Sequence, residues 1–264
     1  MDLQAFAIAR IGKFVQFEHQ RGPIGIYSLL GNGSVRVVQD LTEDEALLRS
    51  AAPRLKAGNT RQPDKDIKGM TAHAAREYNA TSLIAVGSST RDALEAIARH
   101  LAAVPGRKTL VWITTGFQLF NLNLGVDLRP DMEKAARALN EANVALYAVD
   151  PRGLAGALAG MTTVSSAEFR GLSAPAIFVP SRGGYLPGTE TMSFLATLTG
   201  GLIFNNDNGI EDLIQTAIDD SALIYVLGFY PDQEAADGTW HGIKVQTKPR
   251  GVSLRYRKNY FAAR

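Results

Sequence analysis

The fold is decided by residues 109–149, which read TLVWI at 109–113, PDMEKAARALNEA at 130–142 and VALYAV at 144–149. The first and third segments are short apolar runs with almost no polar member, which is typical of strands buried on both faces of a parallel sheet. The middle segment has apolar residues at helical spacing. Together they predict a β-α-β crossover unit, which indicates an α/β fold with a doubly wound, mostly parallel sheet.

The residues before this unit predict a helix and a β-hairpin. Apolar residues recur at helical spacing over 2–18, which predicts an amphipathic helix. Residues 24–30 follow as a short apolar strand, and GNGS at 31–34 is a turn sequence of the kind that hairpins use. A return strand begins at Val35 and is expected near a sheet edge.

Three helical segments follow the hairpin. Thr42, with Glu45 three residues later, is a capping-box signal that predicts a helix over 43–56. A short helical stretch is predicted over 73–78 and a longer helix over 90–103. Residues between and around these segments are expected to be loops.

Residues 151–190 are rich in Gly, Ser, Ala and Pro and carry few charges. This composition predicts a long irregular insertion within a single domain that spans 1–264. A helix over 190–199 follows, with Gly200-Gly201 as its stop signal. Three further segments are predicted: a strand at 202–204, a helix at 210–221, and a C-terminal extension of antiparallel strands at 223–230, 242–247 and 252–256.

Composition excludes several classes of protein. With 45% hydrophobic residues in 264, the chain has enough apolar surface to fold, and it contains no apolar run of the roughly 18 residues that span a bilayer. Lys and Arg number 28 against 26 Asp and Glu, so no broad basic field favours nucleic acid. The absence of cysteine excludes disulfides, thiol catalysis and thiolate metal sites.

Catalytic and metal motifs are also missing from the sequence. No Gly-x-Ser-x-Gly elbow is present, and the four histidines are scattered without a His-Glu-x-x-His pair. Gly106-Arg107-Lys108-Thr109 precedes a strand, whereas a phosphate loop leads from a strand into a helix. No base–nucleophile pair can be assembled from the sequence.

The most informative polar residues follow the two buried strands. Thr114-Thr115-Gly116-Phe117 comes after the first, and Asp150-Pro151-Arg152-Gly153 after the second. Ligands of open α/β sheets bind beyond the carboxyl ends of the strands. Asp150 is therefore either a site residue or a loop cap, since Asp also caps turns well.

The order of segments resembles that of the von Willebrand factor A-related domain proteins described from acidobacteria. The resemblance runs along nearly the whole chain and is most specific in the tail. The matching stretches are GIYSLL at 25–30, VRVVQDLTED at 35–44, TRDALEAIA at 90–98, PGRKTLVWI at 105–113, VALYAVDPRGL at 144–154, LTGGLIFNN at 198–206, YVLGFYP at 225–231 and GVSLRYRKNYFA at 251–262.

This resemblance implies a Rossmann-like sheet with a metal-ion-dependent adhesion site at its upper face. Proficient members use Asp-x-Ser-x-Ser after the first strand, a Thr from a second loop and an Asp from a third. Here Thr90 matches the second-loop position, whereas Thr115 stands at the third-loop Asp position and the first-strand motif is absent. Because the carboxylates that Mg²⁺ prefers are missing, we expect a degenerate site without a metal ion or other cofactor.

In the family that the chain resembles, the first strand lies between those corresponding to 24–30 and 109–113. This sequence opens directly on the helix that should follow that strand. We therefore expect the native chain to extend upstream of Met1. In the alternative, the two neighbouring strands close up and pair directly, since buried unpaired edges are costly.

These observations predict a non-enzymatic binding or adhesion module that recognises a protein or cell-envelope partner, with no nucleic acid and no membrane span. The resemblance implies a secreted or periplasmic location. The expected binding residues lie in loops above the sheet: Ser88, Ser89, Thr90, Thr114, Thr115, Asn121, Asn123, Asp150 and Arg152. Two alternatives stay open: a hydrolase or transferase that uses Asp150 in the same crevice, and a truncated gene product without independent function.

Overall fold

We describe a computed structural model of the chain over residues 3–17, 22–30, 34–55, 68–152, 188–204, 210–222, 227–229, 237–248, 254 and 256–262. Within these residues the helices are α1 (Leu3–Phe17), α2 (Glu45–Ala51), α3 (Ala72–Leu101), α4 (Arg129–Glu141), α5 (Thr189–Thr199) and α6 (Ile210–Ala222), with a 3₁₀ turn at Ala52–Arg54. The strands are β1 (Ile24–Leu29), β2 (Val35–Thr42), β3 (Lys108–Ile113), β4 (Phe120–Asn121), β5 (Val126–Asp127), β6 (Val144–Val149), β7 (Ile203–Phe204), β8 (Trp240–Gly242) and β9 (Asn259–Phe261). Most of the predicted insertion, at 153–187, lies outside the described residues.

The centre of the molecule is a parallel sheet in the order β3-β6-β7. β3 and β6 pair in register from Lys108↔Val144 to Ile113↔Val149, and α4 connects them. The predicted β-α-β unit is confirmed, and the chain has a mixed α/β fold. All six residues of β6 are buried, because strands pair with it on both sides and helices cover both of its faces.

Helices α3, α4 and α5 cover one face of the sheet. Their apolar residues form a core cluster with alternate residues of the strands, Leu110 and Trp112 from β3 and Leu146 and Ala148 from β6. Arg91 of α3 makes an ion pair with Asp131 of α4 at 2.5 Å. The period-2 alternation of a strand explains why residues 110, 112, 146 and 148 share this face.

Helices α1, α2 and α6 cover the opposite face, where Val111, Ile113 and Val149 point. Tyr147 also points to this side and is fully buried against Ala217 of α6. Its hydroxyl donates a 2.7 Å hydrogen bond to Asp220 Oδ2. Burial, followed by this hydrogen bond, raises the pKa of Tyr147 to about 12.

The predicted N-terminal hairpin is confirmed, since β1 and β2 form an antiparallel pair with Leu29 opposite Val35. β1 pairs with β2 and β3 with β6, and no ladder joins β1 to β3. The expected alternative in which these two strands close up and pair directly is therefore wrong.

Two helix predictions need correction. α2 begins at Glu45 and is capped by Asp44, whose Oδ1 accepts hydrogen bonds from the backbone N–H groups of Ala46 and Leu47. The predicted capping box at Thr42 is wrong, because Thr42 Oγ1 accepts from Asp44 N instead. The helix also ends at Ala51, short of the predicted 56.

The two predicted segments at 73–78 and 90–103 are one continuous helix, α3, of 30 residues. Thr71 caps it by accepting from Ala74 N at 3.3 Å. Gly87, Ser88 and Ser89 have weak helix propensity, which favoured a break here. The close packing of Gly87 on Leu128, where an added Cβ would lie 2.8 Å from the leucine, favours an unbroken helix.

The C-terminal strands are antiparallel as predicted, but β8 shares only Gly242 with the predicted range 242–247, and β9 lies beyond the predicted range 252–256. β8 and β9 pair Trp240 with Phe261 and Gly242 with Asn259, whereas the described residues 243–248 form no strand. Packing of aromatic rings accounts for the shift, since Trp240 contacts Phe261 edge-on at 5.6 Å. Of the predicted strand at 223–230, residues 227–229 are irregular and the others lie outside the described residues.

Burial of β3 differs from the prediction. Each of its six residues is half-buried, although the sequence predicts a strand buried on both faces. Only one of its edges is paired within the described chain, the edge toward β6. Separately, none of the described helices is both long enough and apolar enough to cross a membrane.

Candidate functional site

The carboxyl edge of the parallel sheet brings together residues that follow β3 and β6. Thr114 N donates to Val149 O at 3.0 Å, and Asp150 N donates to Phe204 O at 2.9 Å. Hydrogen bonds therefore join the carboxyl ends of β3, β6 and β7. As predicted, Thr114, Thr115 and Asp150 lie at this edge.

Asp150 is fully buried and is bound by Arg152. Its Oδ1 accepts from Arg152 N and Nε, both at 2.9 Å, and its Oδ2 accepts from Arg152 Nη2 at 2.6 Å. This combines a loop cap with a two-pronged ion pair, in which a planar guanidinium meets both carboxylate oxygens. Of the two predicted roles for Asp150, the contacts match the loop cap.

Arg152 also links the two loops at this edge. Its Nη2 donates to the carbonyl oxygen of Thr115 at 3.1 Å. The guanidinium thus joins the loop after β6 to the loop after β3. Because Arg152 balances the charge of the Asp150 carboxylate, the carboxyl edge of the sheet presents polar backbone and hydroxyl groups and no exposed acidic side chain from Asp150.

The loop after β3 packs tightly on the start of α5. Gly116 and Gly188 both have positive φ, +67° and +95°, and a Cβ on Gly116 would lie 2.0 Å from Gly188 O. Only glycine fits such an approach. Thr191 donates from its hydroxyl to Phe117 O, so this loop is held along its whole length.

Asn121 and Asn123 lie at the turn of the β4–β5 hairpin. Asn121 Oδ1 accepts from Leu124 N at 3.0 Å, and its Nδ2 donates to Gln118 at 2.7 Å, so this side chain shapes the turn. Asn123 is exposed. Between them, Leu122 is 74% exposed.

Sequence reasoning missed Leu122, although a signal exists. A leucine between two asparagines, in the short NLNLG stretch at 121–125, reads as a turn residue with no helical or strand face to bury. An apolar side chain so placed has no position in the core and stays exposed to solvent.

Ser88, Ser89 and Thr90 do not lie in a loop, contrary to the prediction. They are in the middle of α3, where Thr90 is buried. Arg91, beside Thr90, pairs with Asp131 in the first turn of α4. These residues therefore lie beside the start of α4, within a helix and not in a loop.

The first half of α3 extends past this edge. Gly87 packs on Leu128, which directly precedes α4, so the helix residues before Gly87 lie beyond the start of α4. Ile84 and Val86 in this portion are exposed. The carboxyl end of the molecule thus carries exposed apolar residues on both the helix and the β4–β5 turn.

A metal site is not assembled by the described side chains: in the ranges given above, no group of three or more His, Asp or Glu side chains could hold an ion. Thr115, at the position of the expected third-loop acid, contributes its carbonyl to Arg152. A guanidinium at this point repels a divalent cation. That the chain needs no Mg²⁺ or other cofactor stays a prediction.

Comparisons with protein-family models, with curated proteins and with solved structures find no match to this chain.

Proposed function

We propose that this chain is a non-enzymatic binding module that recognises a protein or cell-envelope partner through the carboxyl edge of its parallel sheet. In this proposal the domain is Rossmann-like and related to von Willebrand A domains, with a degenerate metal-ion-dependent adhesion site, and it acts outside the cytoplasm. The α/β fold with its crossover unit supports this proposal, as does the position of Thr114, Thr115 and Asp150 at one edge.

The observation that carries the proposal is Leu122. It is a 74% exposed leucine at the tip of a hairpin whose turn is held by Asn121. A fixed turn that presents an apolar side chain loses little conformational entropy on binding, which favours a protein contact. Exposed Asn123 beside it offers hydrogen bonds at the rim of such a contact.

The state of Asp150 favours binding over catalysis. A general base or nucleophile needs a carboxylate that can reach substrate. Both oxygens of Asp150 are occupied by Arg152, and the residue is fully buried. The same ion pair instead braces the loop that carries Thr114 and Thr115, which suits a preformed recognition surface.

A matched pair of leucines provides the test. Leu122 and Leu227 are both 74% exposed, and Leu227 lies in the C-terminal part of the chain. Wild-type, Leu122→Asp and Leu227→Asp proteins would be immobilised and exposed to extracellular and envelope proteins of the source organism. Each retained protein would then be purified, and its Kd measured against all three chains.

We expect a partner that binds wild type and Leu227→Asp equally and Leu122→Asp at least tenfold more weakly. A partner that is lost equally with both variants, or with neither, contradicts the proposed surface. Turnover of ester, phosphate or peptide substrates that disappears in Asp150→Ala would contradict the non-enzymatic role. The Asp150→Ala chain must melt cooperatively for that result to count.

A further inference from the structure

Charge is distributed unevenly along this chain. Residues 241–264 contain no Asp or Glu, although the whole chain has 28 basic and 26 acidic residues. The basic side chains of this C-terminal segment are Lys244, Lys248, Arg250, Arg255, Arg257, Lys258 and Arg264. The net charge of +2 therefore combines a basic C-terminal segment with a remainder that is acidic on balance. Such an asymmetry indicates an anionic partner for the basic segment.

One arginine of this segment meets a second arginine at the amino edge of the parallel sheet. Arg107 directly precedes β3, and its Nη2 donates to Gly200 O at 2.9 Å. Arg257 packs on the same glycine, since a Cβ on Gly200 would lie 3.1 Å from Arg257 N and 3.5 Å from Arg257 Cβ. Gly200 ends α5 with a left-handed conformation, φ +75°, which glycine adopts without strain. The turn after α5 thus brings together two cations from distant parts of the sequence.

Arg257 is half-buried beside a like charge. Burial lowers the pKa of its guanidinium, and the positive charge of Arg107 lowers it further. Within the ranges that the structure describes, no carboxylate forms an ion pair with Arg257. A cation removed from water beside a second cation is unfavourable. The arrangement therefore favours an anion that binds both guanidinium groups.

Two acidic residues near the end of α6 offset only part of this charge. Asp220 Oδ2 accepts the hydroxyl hydrogen bond of Tyr147 at 2.7 Å. Arg107 acts on the same phenol, because its charge and hydrogen bond lower the pKa of Tyr147 against the larger raising effects of burial and Asp220. Asp219 accepts from Gln215 of its own helix. Two guanidinium groups beside the single carboxylate of Asp220 leave an excess of positive charge.

We propose that Arg107 and Arg257 bind a phosphate group at the amino edge of the parallel sheet. Each guanidinium presents planar pairs of N–H donors that match phosphate oxygens, and two of them can bind different oxygens of one tetrahedral anion. A terminal phosphate carries up to two negative charges, whereas a carboxylate carries one. The phosphate therefore matches two cations better, and further anionic groups on the same ligand would meet the basic C-terminal segment.

This site differs from a phosphate loop and from the surface proposed above. Gly106-Arg107-Lys108-Thr109 precedes a strand, so the ligand is bound by side chains and not by the backbone of a loop that opens a helix. Arg107 and Gly200 stand at the amino ends of parallel strands, opposite the carboxyl edge. Failure of one proposal therefore leaves the other standing.

The first experiment is calorimetric titration of the full chain with inorganic phosphate, in a buffer without other multivalent anions. Arg257→Met removes the charge and keeps an unbranched apolar stem, and Arg76→Gln, at an exposed position of α3, is the matched control. We expect equal Kd values for wild type and Arg76→Gln, and binding at least roughly tenfold weaker for Arg257→Met. No saturable binding to wild type, or equal affinity in wild type and Arg257→Met, overturns the proposal.

Thermal melts distinguish an anion site from a structural ion pair. Without phosphate, Arg257→Met should melt at or above the wild-type temperature, because it removes a partly buried charge that has no carboxylate partner. At constant ionic strength, phosphate should raise the Tm of wild type and leave that of Arg257→Met unchanged. A variant that melts below wild type without phosphate, or fails to fold, would mean that a carboxylate elsewhere in the chain pairs with Arg257, which overturns the proposal.

A last pair of probes distinguishes two sources of the phosphate group. Glycerol phosphate offers it in solution, and vesicles of phosphatidylcholine with phosphatidic acid offer it on a lipid surface. A soluble ligand predicts binding of glycerol phosphate without sedimentation of the chain with vesicles. A lipid ligand predicts sedimentation that Arg257→Met abolishes and Arg76→Gln retains. Binding of neither probe, or binding of both that Arg257→Met leaves unchanged, contradicts the site.

Discussion

β6 and β3 are neighbouring strands of equal length and similar composition, yet their environments differ. Every residue of β6 is buried, whereas every residue of β3 is half-buried. The difference lies in their neighbours, since β6 has β3 and β7 beside it and β3 has only β6 among the described strands. Burial of a strand is thus set by what pairs with it as much as by its own residues.

The largest expected effect compares two leucines that are register partners, Leu146 of β6 and Leu110 of β3. Both point into the same core cluster, but only Leu146 is fully buried. Leu146→Ala is expected to lower the free energy of unfolding by about 3 kcal/mol, and Leu110→Ala by about half as much. Urea denaturation measures both. Equal losses would show that β3 is as well covered as β6.

The raised pKa of Tyr147 predicts how the stability of the protein, and with it the burial of β6, depends on pH. Its pKa of about 12 lies above the ordinary 10.0, so the folded state favours the neutral phenol. The stabilisation is complete below pH 10 and is lost as the pH rises toward 12, a total of about 3 kcal/mol. Urea denaturation at pH 9 to 12 should show this fall in wild type and a smaller one in Tyr147→Phe. Parallel curves would contradict the raised pKa of Tyr147.

Substitutions directly after the two strands should also cost different amounts of stability, with the larger loss after β6. Asp150 after β6 is buried in its ion pair with Arg152, whereas the hydroxyl of Thr114 after β3 accepts a 3.0 Å hydrogen bond from Gly116 N. Asp150→Ala should cost about 2 kcal/mol, because it removes the carboxylate partner of a partly buried guanidinium. Thr114→Ala should cost about 0.5–1 kcal/mol. Thermal melts of both variants measure this, and a smaller loss in Asp150→Ala would contradict the brace.

The sequence predicts much of this fold, because the pattern of apolar residues follows the period of each element. The β-α-β unit, the N-terminal hairpin and α5 with its Gly200 cap were all predictable in this way. The burial of β3 was not, since a run such as TLVWI looks the same at the centre of a sheet and at an edge. Such a pattern contains no information about which strand lies beside it.

The candidate site shows the same limit. The sequence places Thr115 and Asp150 at the carboxyl edge, because both follow parallel strands. It could not decide whether Asp150 binds a ligand or caps a loop, since that depends on where the Arg152 side chain turns. The position of Thr90 inside α3 depends on the packing of Gly87 against Leu128, a contact between residues 41 apart in sequence that no local pattern contains.

The smallest effect, and the sharpest comparison, is within β3 itself. Leu110 and Trp112 direct their backbone N–H groups to β6, whereas those of Thr109, Val111 and Ile113 point to the opposite edge of β3. Amide hydrogen exchange should therefore alternate along the strand, at least roughly tenfold faster at 109, 111 and 113, because only paired amides need an opening event. Uniform slow exchange would mean that another part of the chain covers this edge, and β3 would then be equivalent to β6 in its pairing.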